Sequence, residues 1–282
     1  VNSINTTRLK YPAQSRNEDT YMPEQTLDPR RHIPLGSIQN LRDLGGYSTT
    51  DGGTTRWKTF LRSAGMSALT NADRQQMLDY EIGSVVDLRS LQDIKNTPNP
   101  FADLDAVAYH HLDLWGDRVS DFKSSTTSLT QQEKLADLYR TGFARCEQII
   151  GEILGTLADE GNHATVFHCS AGKDRTGMIA ALLLGVAGVP YETIVADYAL
   201  TALYLDDPHR DHSNPEPMFI PGDQSHKPDS IPLPLYFSSC LPETMILALA
   251  FLDEEYGGVE GYVRKIGLGD AQIQRLRSKF VE

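Results

Sequence analysis

Short apolar runs alternate with longer stretches of helical periodicity through most of this chain. Trp57 to Arg62, Ser84 to Leu88, Val107 to Leu112 and Ala164 to His168 are brief, rich in apolar residues and bounded by polar ones, which predicts strands. Asn71 to Tyr80 lies between the first two and predicts a helix, with Thr70 as its N-cap. Thr130-Gln131-Gln132-Glu133 has the form of a capping box and opens a helical region reaching about Glu160. Met178 to Leu184 is apolar on every side, as a buried helix must be. Pro190 suits the first turn of a further helix through Ile194, Tyr198 and Leu205. Strands alternating with helices predict an α/β fold, with a central, mostly parallel sheet flanked by helices on both faces.

Prolines interrupt this plan twice. Val1 to Leu35 is polar and carries Pro12, Pro23, Pro29 and Pro34, so residues 1–35 are expected as an extended arm and residues 36–282 as a single domain. Asp206 to Pro234 holds seven prolines, which forbid a long regular element. A segment of this kind is either a cover over a pocket or a surface excursion, and both readings stay open. His209-Arg210-Asp211-His212 within it invites a metal site, but no further ligands of fixed spacing accompany it, and a solvated loop is the expectation.

Composition narrows the class. At 282 residues the chain can bury a substantial core, and no apolar stretch reaches the ~20 residues that span a bilayer. Three cysteines give no disulfide framework, which favours a reducing compartment. With no signal-like segment after Val1, a cytoplasmic location is expected; secretion after loss of a leader stays open. The formal charge of −12 disfavours nucleic acid and bulk adsorption to anionic membranes. An anion-binding site on such a chain must concentrate positive potential locally.

The segment that can do so is His168-Cys169-Ser170-Ala171-Gly172-Lys173-Asp174-Arg175-Thr176-Gly177. Cys169 and Arg175 bracket five residues, after a predicted strand and before a predicted helix. Backbone N–H groups at such a junction lack intrahelical partners, and the helix dipole favours an anion. Ser170, Ala171, Gly172, Lys173 and the residues up to Arg175 can wrap phosphate oxygens with main-chain donors. Cys169 is then the nucleophile, favoured as thiolate by the helix end and the nearby cations. Arg175 offers a planar fork for two oxygens. Thr176 can donate its hydroxyl to the thiolate, with Gly177 closing the motif. Asp87, at the end of its strand, is expected to orient Lys173 or Arg175. A nucleotide-binding Walker loop fails here, because Phe167 stands where its first glycine belongs and Asp174 where Ser or Thr is needed. A structural buried cysteine is at odds with the charged residues around it.

This segment resembles the signature of the protein-tyrosine-phosphatase superfamily, in the atypical branch with His-Cys-x-x-Gly-Lys-Asp-Arg-Thr-Gly. Asn40-Leu41-Arg42-Asp43-Leu44-Gly45-Gly46-Tyr47, Leu61-Arg62-Ser63-Ala64 and Val85-Val86-Asp87-Leu88-Arg89-Ser90 are similar to that branch's N-terminal motifs. Tyr256 to Tyr262 and Leu276-Arg277 are similar to its C-terminal helices. The resemblance implies a phosphomonoester hydrolase working through a phosphocysteine without metal or other cofactor. Its substrate would be a phosphorylated protein, a lipid headgroup or a small phosphate ester. It also favours Asp174 as the general acid; Asp113, in Leu112-Asp113-Leu114-Trp115-Gly116-Asp117, is the alternative after the preceding strand. Two other functions use the same loop. One is a catalytically silent phosphate-binding module; the other is arsenate or sulfur-transfer chemistry, which requires Cys146 or Cys240 to reach Cys169.

Overall fold

The computed structural model describes residues 28–116, 131–205 and 240–282. Its five strands are β1 (Arg42–Asp43), β2 (Phe60–Ser63), β3 (Ile82–Asp87), β4 (Ala108–His111) and β5 (Ala164–His168). They form one sheet in the order β1-β2-β5-β3-β4. β2, β5, β3 and β4 run parallel, and only β1 is antiparallel to its neighbour. The strand that delivers Cys169 is therefore central, and the loops following β3, β4 and β5 gather at one end of the sheet. Open α/β sheets bind ligands at that end.

Nine helices lie among the described residues. They are α1 (Asn71–Asp79), α2 (Leu91–Asn96), α3 (Gln131–Arg145), α4 (Glu147–Asp159), α5 (Asp174–Val186), α6 (Tyr191–Leu205), α7 (Pro242–Tyr256), α8 (Val259–Lys265) and α9 (Asp270–Phe280). Successive strand residues face opposite sides of the sheet, and each side feeds its own core. Phe60, Val86 and Phe167 join the larger one, with α4, α5, α6 and the C-terminal helices. Leu61, Val85 and Val166 join the smaller, with Met77 of α1 and Leu35, Ile38 and Leu41 ahead of β1. Helices thus cover both faces, as the alternating pattern predicts. No described helix is long and apolar enough to cross a membrane.

Several boundaries differ from the sequence pattern, each for a physical reason. The second strand starts at Phe60 rather than Trp57, because Lys58 has left-handed backbone (φ 55°) and gives its N–H to Asp43 Oδ2 at 2.8 Å. The long helix expected up to Glu160 is two helices that meet at Cys146. There the Tyr262 hydroxyl donates to the Phe143 carbonyl at 2.8 Å, taking the acceptor that the next helical N–H would use. Thr70 caps α1 as expected, accepting from the Asp73 N–H at 3.1 Å. Residues 28–35 lie against the domain: Arg31 is buried, donates to the carbonyls of Asp43 and Gly45, and stacks 3.6 Å above the Tyr47 ring. Residues 1–27, Asp117, the Thr130 cap and the proline-rich segment with His209 and His212 lie outside the described residues.

Candidate active site

β5 ends at His168, and the chain then turns through Cys169 to Lys173 before α5 begins at Asp174. The helix starts four residues ahead of the apolar run, so Asp174, Arg175 and Thr176 are in its first turn. Cys169 is 3 % exposed, and Gly172, Lys173 and Arg175 are buried, whereas Ser170, Ala171 and Asp174 are half-buried and form the rim. No side chain caps α5, whose first intrahelical bond runs from the Gly177 N–H to the Lys173 carbonyl at 2.8 Å. Its first-turn donors stay available to an anion. Gly172 is required here: its φ is +65°, and an added Cβ would lie 2.3 Å from the Ser63 carbonyl oxygen.

The loop carbonyls are tied back into the protein. The Gly65 N–H donates to Ser170 O at 2.8 Å. Asn40 Nδ2 donates to Ala171 O at 3.1 Å and to Gly172 O at 2.9 Å. Arg62 Nη2 reaches Gly172 O at 2.8 Å. Asn40 and Arg62 fall in the N-terminal motifs, but their spacing from Cys169 in sequence gives no hint of this contact.

Arg175 is held from three directions. Its Nη2 donates to Ser170 Oγ at 3.0 Å, its Nη1 lies 3.4 Å from Leu88 O, and Asp93 Oδ2 is 3.6 Å from Nη1. Asp93 was not among the expected site residues. It sits on α2, a short polar helix without a periodic apolar stripe, and the one signal for it is the capping-box spacing Ser90-x-x-Asp93. That box forms: the Ser90 hydroxyl accepts from the Asp93 N–H, and Asp93 Oδ2 accepts from the Ser90 N–H.

Asp87 requires a correction. It is buried, and its hydrogen bonds run to residues other than Lys173 and Arg175. Its carboxylate accepts from the Arg89 guanidinium (2.7 Å), Tyr109 Oη (3.0 Å) and Asn99 Nδ2 (3.3 Å), and lies 3.3 Å from His168 Nε2. Burial opposes its charge, but His168 and Arg89 outweigh burial and hold the carboxyl well below the usual carboxylate range. The cluster fixes the residue beside the nucleophile. His168 Nδ1 lies 3.0 Å from the Cys169 carbonyl, which can only accept, so Nδ1 carries a proton.

The other expected residues are placed as follows. Thr176 Oγ1 is buried and makes no hydrogen bond, so the expected donation to the Cys169 sulfur is not formed in this structure. Asp174 Oδ1 accepts from the Tyr139 hydroxyl at 3.1 Å and lies 3.8 Å from Lys173 Nζ. Asp113 accepts from the Gly116 N–H at 2.9 Å in a turn beyond β4, two strands away from β5. The three cysteines are unbridged. Burial pushes the Cys240 thiol up to about 11, partly offset by Lys173, which makes it a poor attacking group for sulfur transfer at neutral pH.

Beneath the loop, Asp197 of α6 is buried between Arg42 Nε at 3.0 Å and Arg62 Nη1 at 2.7 Å. Burial alone raises its pKa, but the two guanidinium groups win and hold it below the usual range. The unfolded chain protonates this carboxylate near pH 3.8, and the folded chain resists doing so. Its stabilisation is therefore complete above that pH and lost below it. The unfolding free energy from urea titrations is expected to hold above about pH 4 and to fall below it, by up to about 1.4 kcal/mol per pH unit for this carboxylate as pH drops from about 3.8 to about 2. An unfolding free energy flat across that range would refute the assignment.

The family model described as the tyrosine phosphatase family matches residues 33–282. A tyrosine-protein phosphatase of Nostoc commune is 32 % identical over 229 residues, 78 % of this chain and 74 % of its own. A triple specificity protein phosphatase, PtpB of Mycobacterium tuberculosis, is 25 % identical over 278 residues, covering 86 % of this chain and 96 % of its own. A cysteine at the end of a central parallel strand, below an uncapped helix N-terminus and beside a held arginine, is the arrangement a cysteine-based phosphatase needs, and this chain belongs to the tyrosine phosphatase family.

Proposed function

We propose that this phosphatase hydrolyses phosphotyrosine in proteins, with Cys169 as nucleophile and Asp174 as general acid. The observation that carries the assignment is the position of Asp174, which stands half-buried at the rim, five residues from the thiol, with Tyr139 holding one oxygen. In the first step the Cys169 thiolate attacks phosphorus and the bond to the tyrosine oxygen breaks. Asp174 delivers its proton to that oxygen. In the second step water attacks the phosphocysteine, the S–P bond breaks, and Asp174 recovers a proton from the water as inorganic phosphate leaves. The amides from Ser170 to Arg175 and the Arg175 fork bear the charge on the transferring group. The route uses no metal.

Phosphotyrosine is supported by the family's description as tyrosine phosphatases and by the designation of the Nostoc commune relative. The designation of the mycobacterial relative as a triple specificity phosphatase supports more than one class of phosphate ester. Phosphate release in the presence of chelator, from phosphotyrosine peptide, phosphoserine peptide, phosphoinositides and small esters, tests the assignment; phosphotyrosine peptide is expected to give the highest kcat/KM. Asp174→Asn is expected to lower kcat by about 10²-fold for phosphoserine, a poor leaving group, and much less for p-nitrophenyl phosphate. Full turnover of phosphoserine by this variant would remove Asp174 as the acid.

A further inference from the structure

Asp197 lies far from the loop in sequence and has no part in the chemical steps, yet its bonds lead to the phosphate site. Its Oδ1 accepts from Arg42 Nε and from the Tyr47 hydroxyl, each at 3.0 Å, and its Oδ2 from Arg62 Nη1 at 2.7 Å. The same Arg62 guanidinium continues to Gly172 O at 2.8 Å. Arg42 donates to Asn40 Oδ1, and Asn40 Nδ2 donates onward to Ala171 O and Gly172 O. Asn40 is fixed from the other side too, since its backbone has φ 57° and its N–H donates to Tyr204 O on α6. Two chains of bonds thus leave one carboxylate and converge on a single loop carbonyl.

Their effect follows from peptide geometry. In a planar trans peptide the C=O and the next residue's N–H point in opposite directions. Holding Ala171 O and Gly172 O toward the protein turns the N–H groups of Gly172 and Lys173 the other way, toward the anion. The cluster also leaves one more guanidinium than carboxylate beneath the loop, a charge of the sign that an anion site needs. A purely stabilising core would need neither feature, because apolar side chains of similar volume commonly stabilise as well as buried ions.

We propose that Asp197 is a positioning residue for the phosphatase reaction, acting through Arg62 and, by way of Arg42, through Asn40 to orient the peptide planes that present the Gly172 and Lys173 amides to phosphate. The inference rests on the assignment of the 169–175 loop as the phosphate site. Two readouts on the full chain test it: calorimetric binding of inorganic phosphate in a Cys169→Ser background, and turnover of p-nitrophenyl phosphate with Cys169 intact. Asn40→Gly keeps the left-handed backbone and removes only the amide; Arg62→Lys keeps the charge and removes the fork; Asp197→Asn removes the carboxylate charge.

With the melting temperature little changed, Asn40→Gly and Arg62→Lys are expected to weaken phosphate binding by about 10-fold and to lower kcat by about 10²-fold. A folded Asp197→Asn should do the same, and if it does not fold, the other two variants decide. Phosphate affinity and kcat within about twofold of the parent in Asn40→Gly and Arg62→Lys would overturn the proposal and leave the cluster a structural role only. Wild-type protein that releases no phosphate, with Cys169→Ser that binds none, would overturn the site itself and this inference with it.

Discussion

Cys169→Ser is expected to lower phosphate release by at least about 10⁴-fold while leaving phosphate binding intact. The reason lies in the division of labour within the loop. The anion is bound by main-chain amides and Arg175, none of which the substitution touches, whereas the covalent step depends on one sulfur atom. A serine hydroxyl has the same place but stays protonated at neutral pH. His168, the neighbouring imidazole, is buried and spends Nδ1 on the Cys169 carbonyl. Fixed-time phosphate release together with calorimetry of phosphate binding checks both halves of the expectation. Residual turnover within about tenfold of wild type would show that another group is the nucleophile. Loss of binding together with turnover would show that the thiol shapes the loop as well as reacting.

Arg175→Lys is expected to cost about 10³-fold in kcat/KM although the charge is conserved. The guanidinium at this position has work on several of its N–H groups at once. One end is held by Ser170 Oγ at 3.0 Å, while the other faces Leu88 O at 3.4 Å and Asp93 at 3.6 Å. A fork so fixed can present its edge to two phosphate oxygens without reorganising. A lysine ammonium is a point donor on a flexible stem and cannot hold the rim and bridge two oxygens together. Because the lost contacts tighten as charge spreads over the equatorial oxygens, kcat should fall more than KM rises. A variant with kcat unchanged and only KM raised would mean that Arg175 binds substrate and transition state equally.

The parts of the site carried by contiguous residues were readable from the sequence; the parts assembled across the chain were not. Ten adjacent residues hold the thiol, the amides and the fork, and the apolar runs on either side fixed their place between strand and helix. Asn40, Arg62, Asp93 and Asp197 come from four separate segments, and only the fold brings them under or beside the loop. The expectation for Asp87 failed through competition. A carboxylate at the end of β3 is near the loop cations, but Arg89, two residues along, reaches it first and the chelate is local. The break between α3 and α4 was invisible for a similar reason, since the hydroxyl that captures the Phe143 carbonyl belongs to Tyr262. β1 is two residues long and too short for any periodicity to register. Asp93 was the one missed residue with a local signature.

All of α5 is buried except Asp174 and Gly185, so the helix that presents the anion-binding amides is also the spine of the larger core. The floor of the active site is consequently part of the larger core. The amides of α5 beyond its first turn can exchange with solvent only when the domain opens as a whole, and heat should end catalysis and the native fold in one cooperative event. Any divergence in substrate choice among chains built this way must then be written at the rim, because the floor of the pocket cannot be altered without unmaking the protein.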